Sequence, residues 1–87
     1  MSVLPERPRL ARQFRLQFEP VQQRWVLLYP EGMVQLNESA SEILRRCDGT
    51  RTVVELVTEL EHAYDTSGIG PEIEALLAEG QRRGWIE

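Results

Sequence analysis

His62 and Cys47 are the only histidine and the only cysteine in this 87-residue chain, and they are the side chains best suited to general-base or nucleophilic chemistry. Each needs a second group within hydrogen-bond reach to work at neutral pH. The spacing supplies none. His62 falls on the polar side of a helical pattern whose apolar stripe is Val53, Leu56, Val57, Leu60 and Tyr64, so it reads as a solvated side chain. Cys47 continues the stripe Leu36, Ala40, Ile43 and Leu44 and reads as a small buried hydrophobe. One Cys and one His cannot close a structural zinc site. A Gly-rich phosphate loop, a Ser-His-Asp set and an acidic calcium loop are all missing from the sequence. Glu55, Glu59 and Glu61, like Glu72, Glu74 and Glu79, lie on solvated helix faces, and the acids near helix starts suit the dipole. These residues argue against an enzyme, and no cofactor or metal is expected.

What remains is main-chain chemistry. Residues 32–36, Gly-Met-Val-Gln-Leu, contain neither a charge nor a proline. Edge strands usually carry one or the other to stop foreign chains from pairing with them. An unprotected strand between the turn at Pro30 and the helix cap at Asn37 therefore reads as a docking edge.

The size of the chain points the same way. A domain this small buries roughly 60 to 65% of the surface its unfolded form exposes. Its stability should be ~4 to 13 kcal/mol, which leaves little surplus to sustain a deep catalytic cavity. A single cysteine excludes an internal disulfide, and no N-terminal apolar run of signal-peptide or membrane-spanning length is present, so a soluble cytoplasmic protein without a membrane partner is expected. Charge is uneven: residues 1–36 hold five Arg against three Glu, whereas residues 37–87 hold five Arg against eleven acids.

The elements that must position the edge follow from periodicity. Residues 1–12, with Pro5 and Pro8 among Arg7, Arg9 and Arg12, read as an extended N-terminal arm ordered only by a partner, and residues 13–87 as a single folded domain. Phe14, Leu16 and Phe18 alternate with Arg15, Gln17 and Glu19, as in a half-buried strand. Residues 25–29 are apolar on both faces, so this second strand is either central or covered by a second chain. Residues 33–36 add a third strand, with Val34 and Leu36 inward and Met33 and Gln35 outward.

Helix signals come next. Asn37 is a good N-cap for a short first helix, Ser39 with Glu42 is a rival capping box, and Asp48 and Gly49 are its expected end. Thr52 with Glu55 caps a second helix of about three turns. After a linker over residues 65–70, Pro71 suits the first position of a third helix with the stripe Ile73, Leu76, Leu77 and Gly80; Gly84 stops it, and Trp85 and Ile86 fold back. The predicted fold is α+β: three short antiparallel strands followed by three helices, winged helix-turn-helix-like.

Two kinds of partner suit such a fold. DNA affinity rests largely on Lys and Arg neutralising phosphates. The third helix, which a winged helix-turn-helix would present to the groove, carries Glu72, Glu74 and Glu79 against Arg82 and Arg83 only at its end, so nucleic acid is not the expected partner. A peptide fits better, because a bare edge offers N–H and C=O groups to an added strand and the third helix can wall a groove beside it.

Family resemblance sharpens this. Leu28-Tyr29-Pro30-Glu31-Gly32, then Leu36-Asn37, Ser39-Ala40, Ile43-Leu44, Cys47-Asp48-Gly49, Arg51-Thr52-Val53 and Gly84-Trp85-Ile86, in this order and spacing, strongly resemble the PqqD family of pyrroloquinoline quinone biosynthesis. The resemblance spans about residues 7–86. It implies a non-catalytic peptide chaperone, a precursor recognition element of a ribosomally made, modified peptide (RiPP). It also implies two partners: the precursor peptide PqqA, and the radical SAM enzyme PqqE, which cross-links a Glu and a Tyr of that peptide. Carried onto this chain, it places the peptide along Met33, Val34, Gln35 and Leu36 and against Ile73, Leu76, Leu77 and Gly80. Two alternatives accompany it, a leader-recognition domain of another modified-peptide pathway and an acidic winged-helix regulator. A second copy of the chain, including one that exchanges N-terminal strands, is a rival occupant of the same edge, giving a homodimer.

Overall fold

The computed structural model describes residues 3–87. Strands β1 (Arg15–Glu19), β2 (Arg24–Tyr29) and β3 (Gly32–Gln35) form one antiparallel sheet in the order β1-β2-β3, and helices α1 (Glu38–Leu44), α2 (Val53–Ala63) and α3 (Gly70–Arg82) follow. The predicted α+β order of three strands and then three helices is the observed one.

Register decides which side chains face the helices. Leu16 lies opposite Leu27, and Leu27 opposite Val34, so the period of two gathers these residues on one face. Leu27 is fully buried there, and Leu16 and Val34 pack against the same core. Val26 points to the other face yet is also fully buried, flanked in register by Gln17 and Gln35. The doubly apolar β2 is thus the central strand. Phe18 departs from its predicted burial and is 44% exposed, because it pairs with Trp25 near the hairpin end. Its ring packs edge-on to Trp25 at 5.6 Å, while the Arg45 guanidinium lies 4.6 Å from the centroid of the indole.

Each helix boundary has a local cause. Asn37 accepts the Ala40 N–H at 2.8 Å, so the first of the two rival caps is the one used. The end of α1 comes earlier than Asp48: Arg45 is its C-cap, and Arg46 and Cys47 then donate to the carbonyls of Ile43 and Leu44, three residues back, in a tightened turn. Cys47 stays buried nonetheless. The Thr52–Glu55 box forms in both directions, with Glu55 N–H to Thr52 Oγ1 at 3.1 Å and Thr52 N–H to Glu55 Oε1 at 2.7 Å. α3 begins one residue before Pro71, at Gly70. It ends in a Schellman motif: Trp85 N–H reaches Gly80 O at 2.8 Å, Gly84 N–H reaches Gln81 O at 3.1 Å, and Gly84 takes φ +78°. That turn folds Trp85 and Ile86 into a core completed by Leu36, Ile43, Leu44, Leu56, Leu60, Ile73 and Leu77.

The N-terminal arm is extended, but it is ordered by its own chain. Arg9 and Glu87 exchange two backbone hydrogen bonds at 3.2 and 2.8 Å, Leu10 N–H reaches Cys47 O at 3.2 Å, and Ala11 N–H reaches Trp85 O at 2.8 Å. Pro8 is fully buried and accepts the Gly49 N–H at 3.1 Å. The prolines keep this segment out of a helix and leave an extended backbone free to bond the returning C-terminus. Met1 and Ser2 of the expected arm lie outside the described residues.

Candidate functional site

One hydrogen bond fixes the orientation of the open edge. Leu36 N–H donates to Trp25 O at 3.0 Å, and in an antiparallel ladder the direction of the backbone groups alternates with each residue. Val34 and Gly32 therefore bond inward to β2, and Met33 and Gln35 turn their N–H and C=O groups to the open side. No residue of β3 is charged, whereas the opposite edge strand β1 begins with Arg15 and ends with Glu19. Met33 is half exposed. The Gln35 side chain lies on the outer sheet face, where its Oε1 accepts from Arg24 Nη1 and its Nε2 donates to Gln22 Oε1, both at 3.0 Å. These bonds leave the Gln35 backbone unencumbered.

A groove of about 280 Å³ lies between the start of α1, the end of α2 and the first two turns of α3, and Asn37 brings the segment just past β3 to its lining. Ala40, Ile43, Leu60, Ile69, Ile73 and Leu76 supply its apolar lining, and Asn37, Ser39, Glu42, Tyr64, Thr66 and Glu72 its polar lining. Its volume sits at the bottom of the range for small-molecule sites, which suits a few side chains better than a cofactor. Asn37 links the two features, since it follows β3 by two positions, caps α1 and lines the groove.

The sequence-predicted site residues separate into three groups. Met33 and Gln35 are at the edge, while Val34 and Leu36 turn their side chains to the core. Ile73 and Leu76 line the groove. Leu77 has no exposed surface, and Gly80 is sealed by the tail, a Cβ there lying 3.6 Å from the Trp85 ring. The stripe of α3 thus divides, and only its N-terminal half reaches the groove. Of the twelve residues that line the groove, only Ile73 and Leu76 are among the sequence-predicted site residues; the others, Asn37, Ile69 and Glu72 among them, were missed. A signal for one of them existed, because Ile69 is the lone large apolar residue of the linker over residues 65–70.

The groove lining holds two carboxylates, Glu42 and Glu72, and no cation. Glu42 is held by Arg45 at 2.6 Å and Arg46 at 3.2 Å. Desolvation, followed by the Glu42 and Glu38 carboxylates, pushes the Tyr64 phenol above its ordinary range. Away from the groove, burial and then Asp48 push the Cys47 thiol up to about 12, where it is not a nucleophile at neutral pH. His62 is exposed, as the periodicity predicts. Among the described residues no cluster of metal-ligating side chains occurs, and no helix is long and apolar enough to cross a membrane.

Comparison with known proteins identifies the family. The family model described as coenzyme PQQ synthesis protein D matches residues 24–86. The chain belongs to the PqqD family. Its relatives include the "PqqA binding protein" of Methylococcus capsulatus, 49% identical over 83% of this chain and 77% of that one. That of Stutzerimonas stutzeri is 48% identical over 97% of this chain and 92% of the relative. A solution NMR structure of the PqqD part of Methylobacterium extorquens PqqCD is 35% identical and covers 92% of this chain and 87% of its own, with a TM-score of 0.69. It is described as representing a functional, stand-alone RiPP recognition element. The PqqD fold is thus the arrangement seen here, three strands and then three helices.

Proposed function

We propose that this chain captures the precursor peptide PqqA as a strand added along β3 and presents it to the radical SAM enzyme PqqE, without chemistry of its own. The observation that carries the proposal is the pair of outward-facing residues Met33 and Gln35 on an uncharged edge, with a groove lined in part by apolar residues beginning at Asn37, two positions past its end. Backbone hydrogen bonds to these residues supply affinity, and the groove selects among alternate side chains of the added strand. The names of the relatives, PqqA binding proteins, support the choice of peptide.

The docking residues are Met33 and Gln35 through their backbone, and Asn37, Ile69, Ile73 and Leu76 through the groove. Val34, Leu36, Leu77 and Gly80 act from beneath, by holding β3 and α3 in place. A flexible precursor loses entropy on ordering, and an edge without charges to desolvate keeps that cost low. Holding the peptide on a carrier docked to the enzyme turns a bimolecular encounter into an effectively intramolecular one. The setting is the cytoplasm, and no nucleic acid takes part.

Calorimetry of the full chain with PqqA, alongside light scattering, tests partner and stoichiometry together. One peptide per monomer is the expected result. A dimer that excludes peptide would assign the β3 edge to a second copy of the chain instead.

A further inference from the structure

The groove past the end of β3 holds a carboxylate without a cationic partner among the described residues. Its polar lining includes two carboxylates, Glu42 and Glu72, and no cation. Glu42 is already neutralised by Arg45 and Arg46. Glu72, exposed in the first turn of α3, has no cation within 4.0 Å among the described residues.

Resting on the peptide-carrier reading above, we propose that Glu72 sets peptide specificity: the peptide side chain that crosses the groove is a Lys or Arg. Its methylene stem lies along the apolar surface of Ile69 and Leu76, and its charged tip meets the Glu72 carboxylate. Long cationic side chains are built for such a place, with an apolar stem and a charged end. A strand laid on β3 takes water away from Glu72, and a carboxylate that loses water without gaining a partner is destabilised. A cation removes that cost. An apolar residue leaves it, and an acidic one adds repulsion. The surrounding segment, residues 37–87, holds five Arg against eleven acids, so a cationic peptide segment is also drawn to this side from a distance.

The test is calorimetry of PqqA against the full chain and its Glu72→Gln, Glu72→Lys and Glu74→Gln variants, at low and high salt. Glu74 is a fitting control, being exposed on the same helix but outside the groove lining. Glu72→Gln should raise Kd roughly two- to fivefold, the range of a solvent-exposed ion pair. Glu72→Lys should raise it further, Glu74→Gln should leave it unchanged, and added salt should shrink the Glu72 effect. A set of PqqA peptides with each Lys or Arg singly replaced by Met should contain one that binds the native chain more weakly but loses nothing further against Glu72→Gln. Equal binding by native and Glu72 variants, with Gln35→Pro still weakening it, would overturn the specificity role and leave the carrier reading intact. An equal loss in Glu74→Gln would reduce the effect to net charge and overturn it as well. No binding of PqqA to the native chain would instead bring down the carrier reading, and this proposal with it.

Discussion

Replacing Gln35 by proline removes one N–H that points away from the sheet and leaves the inward bonds of β3 in place. The inward donor Leu36 bonds Trp25 at 3.0 Å, so a ring at position 35 deletes no rung of the β2–β3 ladder. The residue before it, Val34, is already extended, as a pre-proline residue prefers to be. An added peptide strand, by contrast, would find its carbonyl facing a missing donor. Leaving such an acceptor unpaired costs about 1–2 kcal/mol at a partly wet edge, which corresponds to a roughly five- to thirtyfold weaker complex. The Gln35 side chain also bonds Arg24 and Gln22, so Gln35→Ala is the necessary companion, since it loses those contacts but keeps the N–H. Val34→Pro is the opposite control, because its N–H points into the ladder. Titration calorimetry with PqqA should show a large loss for Gln35→Pro and little change for Gln35→Ala. Thermal melts should show the main loss of stability for Val34→Pro. A folded Gln35→Pro variant that binds as the native chain does would refute strand addition through this residue.

Leu76 and Leu77 are neighbours with opposite duties, so their alanine variants should separate. Leu77→Ala, in the core, should cost ~2–5 kcal/mol of stability in urea unfolding, while Leu76→Ala, in the groove lining, should chiefly weaken peptide binding. The Arg51 and Arg46 hydrogen bonds, at 2.7 and 2.9 Å, hold the Glu59 carboxyl below its usual 4.5. A carboxyl depressed in the folded state stabilises above its unfolded pKa and loses that contribution as pH falls through the folded one. The native chain should therefore weaken as pH drops below about 4.5, and Glu59→Gln should show a smaller fall over the same window in urea midpoints. Cys47 should resist a thiol reagent at pH 8 until the chain is unfolded, because burial raises its pKa to about 12.

Much of the architecture is legible in the residues, and the parts that are not share a cause. The capping box at Thr52, the Asn37 cap and the Gly84 stop each depend on neighbours within a few residues, and each forms as its local chemistry dictates. The β3 edge is equally local, a matter of alternation and the absence of charge. The arm is different, since its bonds to Cys47, Trp85 and Glu87 join the two ends of the chain, and no short window contains both. The same limit explains the divided stripe of α3. Ile73, Leu76, Leu77 and Gly80 look alike by periodicity, but the fold-back of Trp85 closes over Gly80 and the arrival of α1 opens a groove at Leu76. Tertiary contact, which spacing does not encode, decides which half of a stripe is free.

The most direct test of the carrier reading is a nuclear magnetic resonance titration of the full chain with PqqA, following backbone amides. The largest shifts are expected at Met33 and Gln35, with further changes around Asn37 and Leu76 at the groove and little on the outer face of α2 at Val54, Thr58 and His62. Largest shifts on α2, with the β3 amides unmoved, would contradict that reading.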